Sequence, residues 1–161
     1  MQDSESKRLE KWIKQAFWFL VEQHNFKYVV YVEGHCDFIS EKVKIRIEPG
    51  HKTPYTFVYR VGEPDFTRLV LEGILQYFEG KVPDIDFQAY SLEHNLKTEA
   101  QILKARAHKI LGEIDDWWLP LQKRLYDELE NDYRTSGQMN DFLSSYKEFH
   151  NYLKSKGAIY T

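Results

Sequence analysis

Apolar residues recur at intervals of three and four through residues 4–24. Leu9, Ile13, Ala16, Leu20 and His24 form one stripe, with Trp12 and Phe17 flanking it. That is the period of an amphipathic helix. At about 100° per residue, Trp18 falls on the opposite side, beside Lys11 and Lys14. Asn25 is placed to end the helix. The period then shortens to two. In "KVKIRIE", residues 42–48, Val43, Ile45 and Ile47 alternate with Lys42, Lys44 and Arg46, which predicts a strand. "KYVVYVE" before it and "YTFVYRV" after it are rich in β-branched and aromatic residues. "GHCD" and "PGHKTP" read as the connections, so the three strands form an antiparallel meander.

Helical spacing returns after Asp65, a residue suited to cap "FTRLVLEGILQYF". Phe66, Val70, Ile74 and Phe78 share a face there, and Gly80 follows as a stop. "KVPDIDFQAY", 81–90, reads as a loop. Thr98 and Gln101 have capping-box spacing and predict the start of a third helix. From there Leu103, Ala107, Ile110, Ile114, Trp117, Leu121 and Leu125 keep one helical phase across Gly112 and Pro120. Proline disfavours a helical residue before it, so a bend or restart is expected near 119. Trp117 and Trp118 flank this stripe and can both be buried, while Asp116 lies far from it. A last helix is predicted over 140–155 after a break at "TSGQ", with Phe142, Tyr146, Phe149 and Leu153 on its stripe.

The predicted class is therefore α+β in a single domain over 1–161. An N-terminal helix precedes a three-stranded antiparallel meander and a packed helix, and a C-terminal helical hairpin or bundle follows. A helix-plus-sheet half spans 1–80 and a helical half 98–156. Ten Phe, eleven Tyr and four Trp supply most of the core and leave rings for a partner surface. The net charge of −3 gives no chain-wide attraction to nucleic acid or anionic lipid. A lone cysteine, Cys36, cannot form an internal disulfide or a multi-cysteine zinc site. The first eleven residues are polar and mixed in charge, and "AFWFLV" is too short to span a bilayer. A soluble cytoplasmic protein is expected.

Candidate chemistry is sparse. His35, Cys36 and Asp37 supply a thiol, an imidazole and a carboxylate, but sequence neighbours rarely converge as a nucleophile and its base. No histidine pair has the i, i+4 metal spacing, and "EPGHKTP" lacks the glycines of a phosphate loop. Asp84 and Asp86 in "PDID" lack the further carboxylates and lysine of a nuclease site. No metal or cofactor is expected, and no catalytic residue is assigned. Asp115 and Asp116 are adjacent on a helix and point apart.

Two charged surfaces remain. Residues 113–132 hold seven acids, among them Glu113, Asp115, Asp116, Asp127 and Glu128, against Lys123 and Arg124. With Trp18 and Trp118 they make a candidate face for a basic protein partner. Lys42, Lys44 and Arg46, joined by Arg60, make an alternative nucleic-acid face, with Tyr55, Phe57 and Tyr59 turned towards the helices.

The run "FLVEQHNFKYV", then "CDFISEKVKIRIEPG" and "EPDFTRLVLEGIL", resembles small bacterial immunity proteins that inhibit polymorphic toxins. The likeness covers the first half and lies at Phe26, Phe38, Ser40, Val43, Ile45 and Ile47, mostly core positions. It implies a non-catalytic protein that binds and blocks a toxin, and it transfers no functional residue. An enzyme with a site assembled from distant residues is the remaining alternative, to be sought first at His35, Cys36 and Asp84.

Overall fold

A computed structural model describes residues 2–136 and 139–159. The chain is α+β and forms two compact units, Met1–Gly112 and Glu113–Thr161. In the first, helices α1 (Gln2–Phe17) and α2 (Phe19–His24) lead into strands β1 (Lys27–Val32), β2 (His35–Ile39), β3 (Val43–Pro49), β4 (Pro54–Arg60) and β5 (Leu69–Val70). Helices α3 (Leu71–Glu79) and α4 (Leu92–Ala105) follow. The sheet is antiparallel and strictly sequential, β1-β2-β3-β4-β5.

Five strands stand where the pattern predicts three. "GHCD" is not a connection: His35–Ile39 is a strand whose Cys36 and Phe38 are fully buried. The turn is only Glu33 and Gly34, both with positive φ, 53° and 86°. That is the tight hairpin geometry matched to strand twist, and it releases the next residue directly into pairing, Val32 opposite His35. The fifth strand replaces the first turns of the expected helix after Asp65. Leu69 and Val70 pair with Val58 and Phe57, and Arg68 is extended (φ −54°, ψ 146°). Helix α3 therefore begins at Leu71 and buries Leu71, Ile74 and Leu75, leaving Phe66 exposed. Gly80 does end it, at φ 72°. Asn25 ends α2 in the left-handed region, its N–H donating to the Leu20 carbonyl.

Cross-strand partners share a face. Phe38, Ile45 and Val58 line up on one side, and Cys36, Ile47 and Thr56 run beside them. Helices α1, α3 and α4 cover that side. Ile13, Phe17 and Leu20 are fully buried, and Phe17 lies 6.4 Å from Phe38, ring to ring. Burying such side chains contributes roughly 1.5–3 kcal/mol each, which makes this layer the main source of the unit's stability.

Helix α4 starts at Leu92, not at Thr98. Ser91 caps it by accepting from the His94 N–H, and the Thr98 hydroxyl instead donates back to the His94 carbonyl. The restart expected near 119 falls earlier. Helix α4 ends at Ala105, a turn of π-helix spans His108–Gly112, and α5 (Ile114–Ser136) runs unbroken through Pro120. The apolar phase is nonetheless kept: Leu103, Ala107, Ile110, Ile114, Trp117 and Leu121 are all buried. In the second unit, α6 (Met139–Ser155) packs on α5 around Tyr126, Tyr152 and Leu153, with Tyr146 and Phe149 half-buried beside them. Gly137, Gln138 and the side chain of Phe142 lie outside the described residues. Among the described residues no helix is long and apolar enough to cross a membrane.

Candidate functional site

The first unit carries an open groove of about 900 Å³ between α1–α2 and α4. Helix spacing builds its walls. Lys7, Lys11 and Lys14 stand at intervals of four and three along α1, and Lys97, Gln101 and Lys104 repeat that spacing along α4. Residues so spaced share one helix face. All six are exposed. The floor is apolar, with Trp18, Phe19, Ala16 and Ala100. Five lysines line the groove against two glutamates, Glu10 and Glu22, and Glu10 accepts the Tyr28 hydroxyl at 2.7 Å. Lys14 Nζ lies 5.4 Å from the Trp18 ring and 4.8 Å from that of Tyr28, so cations flank the rings directly.

Trp18, half-buried, is thus the one residue of the expected partner face that lies in this groove. The acids Glu113, Asp115, Asp116, Asp127 and Glu128 are exposed in the second unit, and Glu128 meets Arg124 at 3.3 Å. Trp118 is not a surface residue. It is 2% exposed, and its indole N–H donates to the Tyr152 hydroxyl at 3.1 Å, tying α5 to α6. A buried N–H needs such a partner, which is why the ring points inward.

The basic strand face is also rearranged. Lys44 pairs with Tyr59 and Arg46 with Phe57, so these aromatics share the cations' face and not the helix-covered one. Arg60 pairs with Val43, whose side chain is in the core, and so leaves the Lys44–Arg46 row. Its guanidinium donates to the Lys42 carbonyl at 3.4 Å. Arg46 makes two bonds to Asp37, at 2.8 and 3.0 Å. Lys44 sits 4.1 Å over Tyr59, and Arg68 4.1 Å over Phe57. The face's cations and rings are therefore spent on each other.

Strand alternation separates the thiol from its neighbours. Cys36 points into the core and Asp37 to the opposite face with Arg46. His35 Nε2 is 3.8 Å from Asp37, while the Cys36 Sγ lies 3.8 Å from the Tyr28 hydroxyl. Burial pushes the thiol up to about 12, so it stays protonated at neutral pH. Asp86 serves its own loop, accepting the Gln88 N–H at 3.0 Å. Among the described residues no group of three or more His, Cys, Asp and Glu side chains is placed to hold a metal ion.

Sequence reasoning missed a buried polar row on α4. Asn95 donates to the carbonyls of Lys52 and Phe87, at 2.7 Å each, and so fastens both the β3–β4 turn and the 81–90 loop to α4. One turn on, Glu99 is 1% exposed, and its carboxyl faces the Glu72 carboxyl and the Thr56 hydroxyl without a hydrogen bond of ordinary geometry among the described residues. Burial, then the charge of Glu72, drives its pKa well above the carboxylate range, so it is held neutral. Capping-box spacing at Thr98 distracted from it: only the correct helix start places 95 and 99 on the inner face.

The chain matches no protein-family model, no curated protein and no solved structure.

Proposed function

We propose that this protein is a non-catalytic protein-binding module, an inhibitor of the immunity kind, acting through the groove of α1, α2 and α4. The observation that carries this reading is the pairing of an apolar floor at Trp18 and Phe19 with lysine rows on both walls. Binding surfaces combine an aromatic anchor with a charged rim in this way. Two further observations support it. The Cys36 thiol is buried and neutral, and the cations of the outer sheet face are already engaged by Asp37, Tyr59 and Phe57. The cationic groove changes the expected partner from a basic to an acidic one.

A photo-crosslinking residue at Gln101, exposed on the α4 wall, tests the reading in the cells the protein comes from. The expected result is one discrete protein adduct, lost when Trp18→Ala is added. Adducts that form only from a probe at Glu128, on α5, would move the function to the acidic helix and overturn the groove.

A further inference from the structure

We infer that the groove takes an acidic amphipathic α-helix of its protein partner. This rests on the groove being the binding surface and adds the shape and charge of what fills it. Lys7 to Lys14 and Lys97 to Lys104 each span seven residues, about 10 Å at 1.5 Å per residue, or two helical turns. A two-turn piece of helix about 10 Å wide occupies roughly 10³ Å³, the order of the groove's 900 Å³.

The walls decide between a helix and an extended segment. Both are α-helices, whose backbone N–H and C=O groups bond within the helix. They offer no free ladder for a β-strand to join, so recognition falls to side chains, as when a helix lies in an apolar groove. An apolar stripe on the occupant would cover the half-buried Ala16 and Trp18, over a floor closed by Phe19 and Ala100. Carboxylates on both sides of that stripe would meet the two lysine rows. A single-stranded nucleic acid fits less well. It needs several open ring faces, whereas Phe19 is 7% exposed and Lys14 sits near the Trp18 ring.

The test uses the full chain and labelled probes in fluorescence anisotropy. One probe is an 18-residue helical peptide with a leucine stripe flanked by glutamates. The others are its glutamine and lysine counterparts and a 12-nucleotide oligouridylate. The glutamate peptide is expected to bind at least tenfold tighter than the glutamine peptide, and the lysine peptide not at all. Lys11→Glu with Lys104→Glu should weaken the glutamate peptide more than tenfold. The milder Lys11→Gln/Lys104→Gln pair should act in the same direction, with circular dichroism confirming that each variant is folded. Equal binding of the glutamine or lysine peptide overturns the inference, as does indifference to either lysine pair. Oligouridylate binding that those pairs abolish would give the groove to nucleic acid instead. If the Gln101 probe captures a protein through a segment without acids, the groove stands and only this inference falls. If it captures nothing and no peptide binds, both fall.

Discussion

Glu99 lies wholly inside the first unit, with the Glu72 carboxyl as its charged neighbour. Its raised pKa means that the folded chain keeps the proton after the unfolded chain has released it. Below the ordinary carboxylate pKa both states hold the proton and the group costs nothing through ionisation. As pH rises towards the folded pKa, stability falls by up to about 1.4 kcal/mol per pH unit from this one proton. Urea midpoints should therefore drop between pH 5 and pH 8. Glu99→Gln should remove most of that slope and be more stable than wild type at pH 8, and an unchanged slope would refute the assignment. Cys36 gives a simpler readout. A thiol 0% exposed and held protonated should resist iodoacetamide in native buffer at pH 8 and react only after unfolding. Native-state alkylation at the rate of a free thiol would reopen the nucleophile reading.

The hairpin from β1 to β2 shows what controls an element's ends. Glu33 holds φ 53° without the tolerance of glycine or asparagine for that region. Glu33→Asn should therefore stabilise the fold by some tenths of a kcal/mol, and Gly34→Ala, at φ 86°, should cost about 1 kcal/mol or more in chemical denaturation. Helix α5 carries Pro120 in its interior, where proline forfeits a hydrogen bond and is about 3 kcal/mol worse than alanine in an exposed helix. Pro120→Ala should raise the melting temperature, because the ring is exposed and contributes little packing. The same elements mark how far the sequence could be read. Strict alternation in 42–48 and the stripe from Leu103 to Leu121 were legible because burial enforces a period whatever the neighbours do. Strand β2 was not, since a five-residue strand beside a two-residue turn leaves only Cys36 and Phe38 as an alternating signal. The start of α3 was hidden because pairing of Leu69 and Val70 with Val58 and Phe57 of β4 outweighs a local cap at Asp65, and no local pattern reports partners 11 and 13 residues away.

At the scale of the molecule, the groove was illegible for a related reason. Lys7, Lys11 and Lys14 are an ordinary solvated helix face until α4 brings Lys97 and Lys104 alongside, and that packing is a property of the sheet beneath both helices. The basic strand face misled in the opposite direction. Lys44 and Arg46 look available in sequence, but the register sets Asp37 beside Arg46 and Tyr59 beside Lys44. Freeing Arg46 for a phosphate would break two charge-assisted bonds to Asp37 and leave a carboxylate that is 12% exposed without its partner. Freeing Lys44 would surrender its contact with Tyr59. The chain as a whole carries −3, so long-range attraction cannot make up the difference. A 20-nucleotide single strand at 50 mM salt should therefore show no binding below about 100 μM, the weak end of non-specific affinities. Asp37→Asn offers the sharper comparison, because it releases Arg46 and raises the net charge by one. If the sheet face were a nucleic-acid platform held shut only by Asp37, this variant would bind and would lose that binding as salt rises. The expected outcome is lower stability with no gain in affinity, because the rings a base would stack on stay under Lys44 and Arg68.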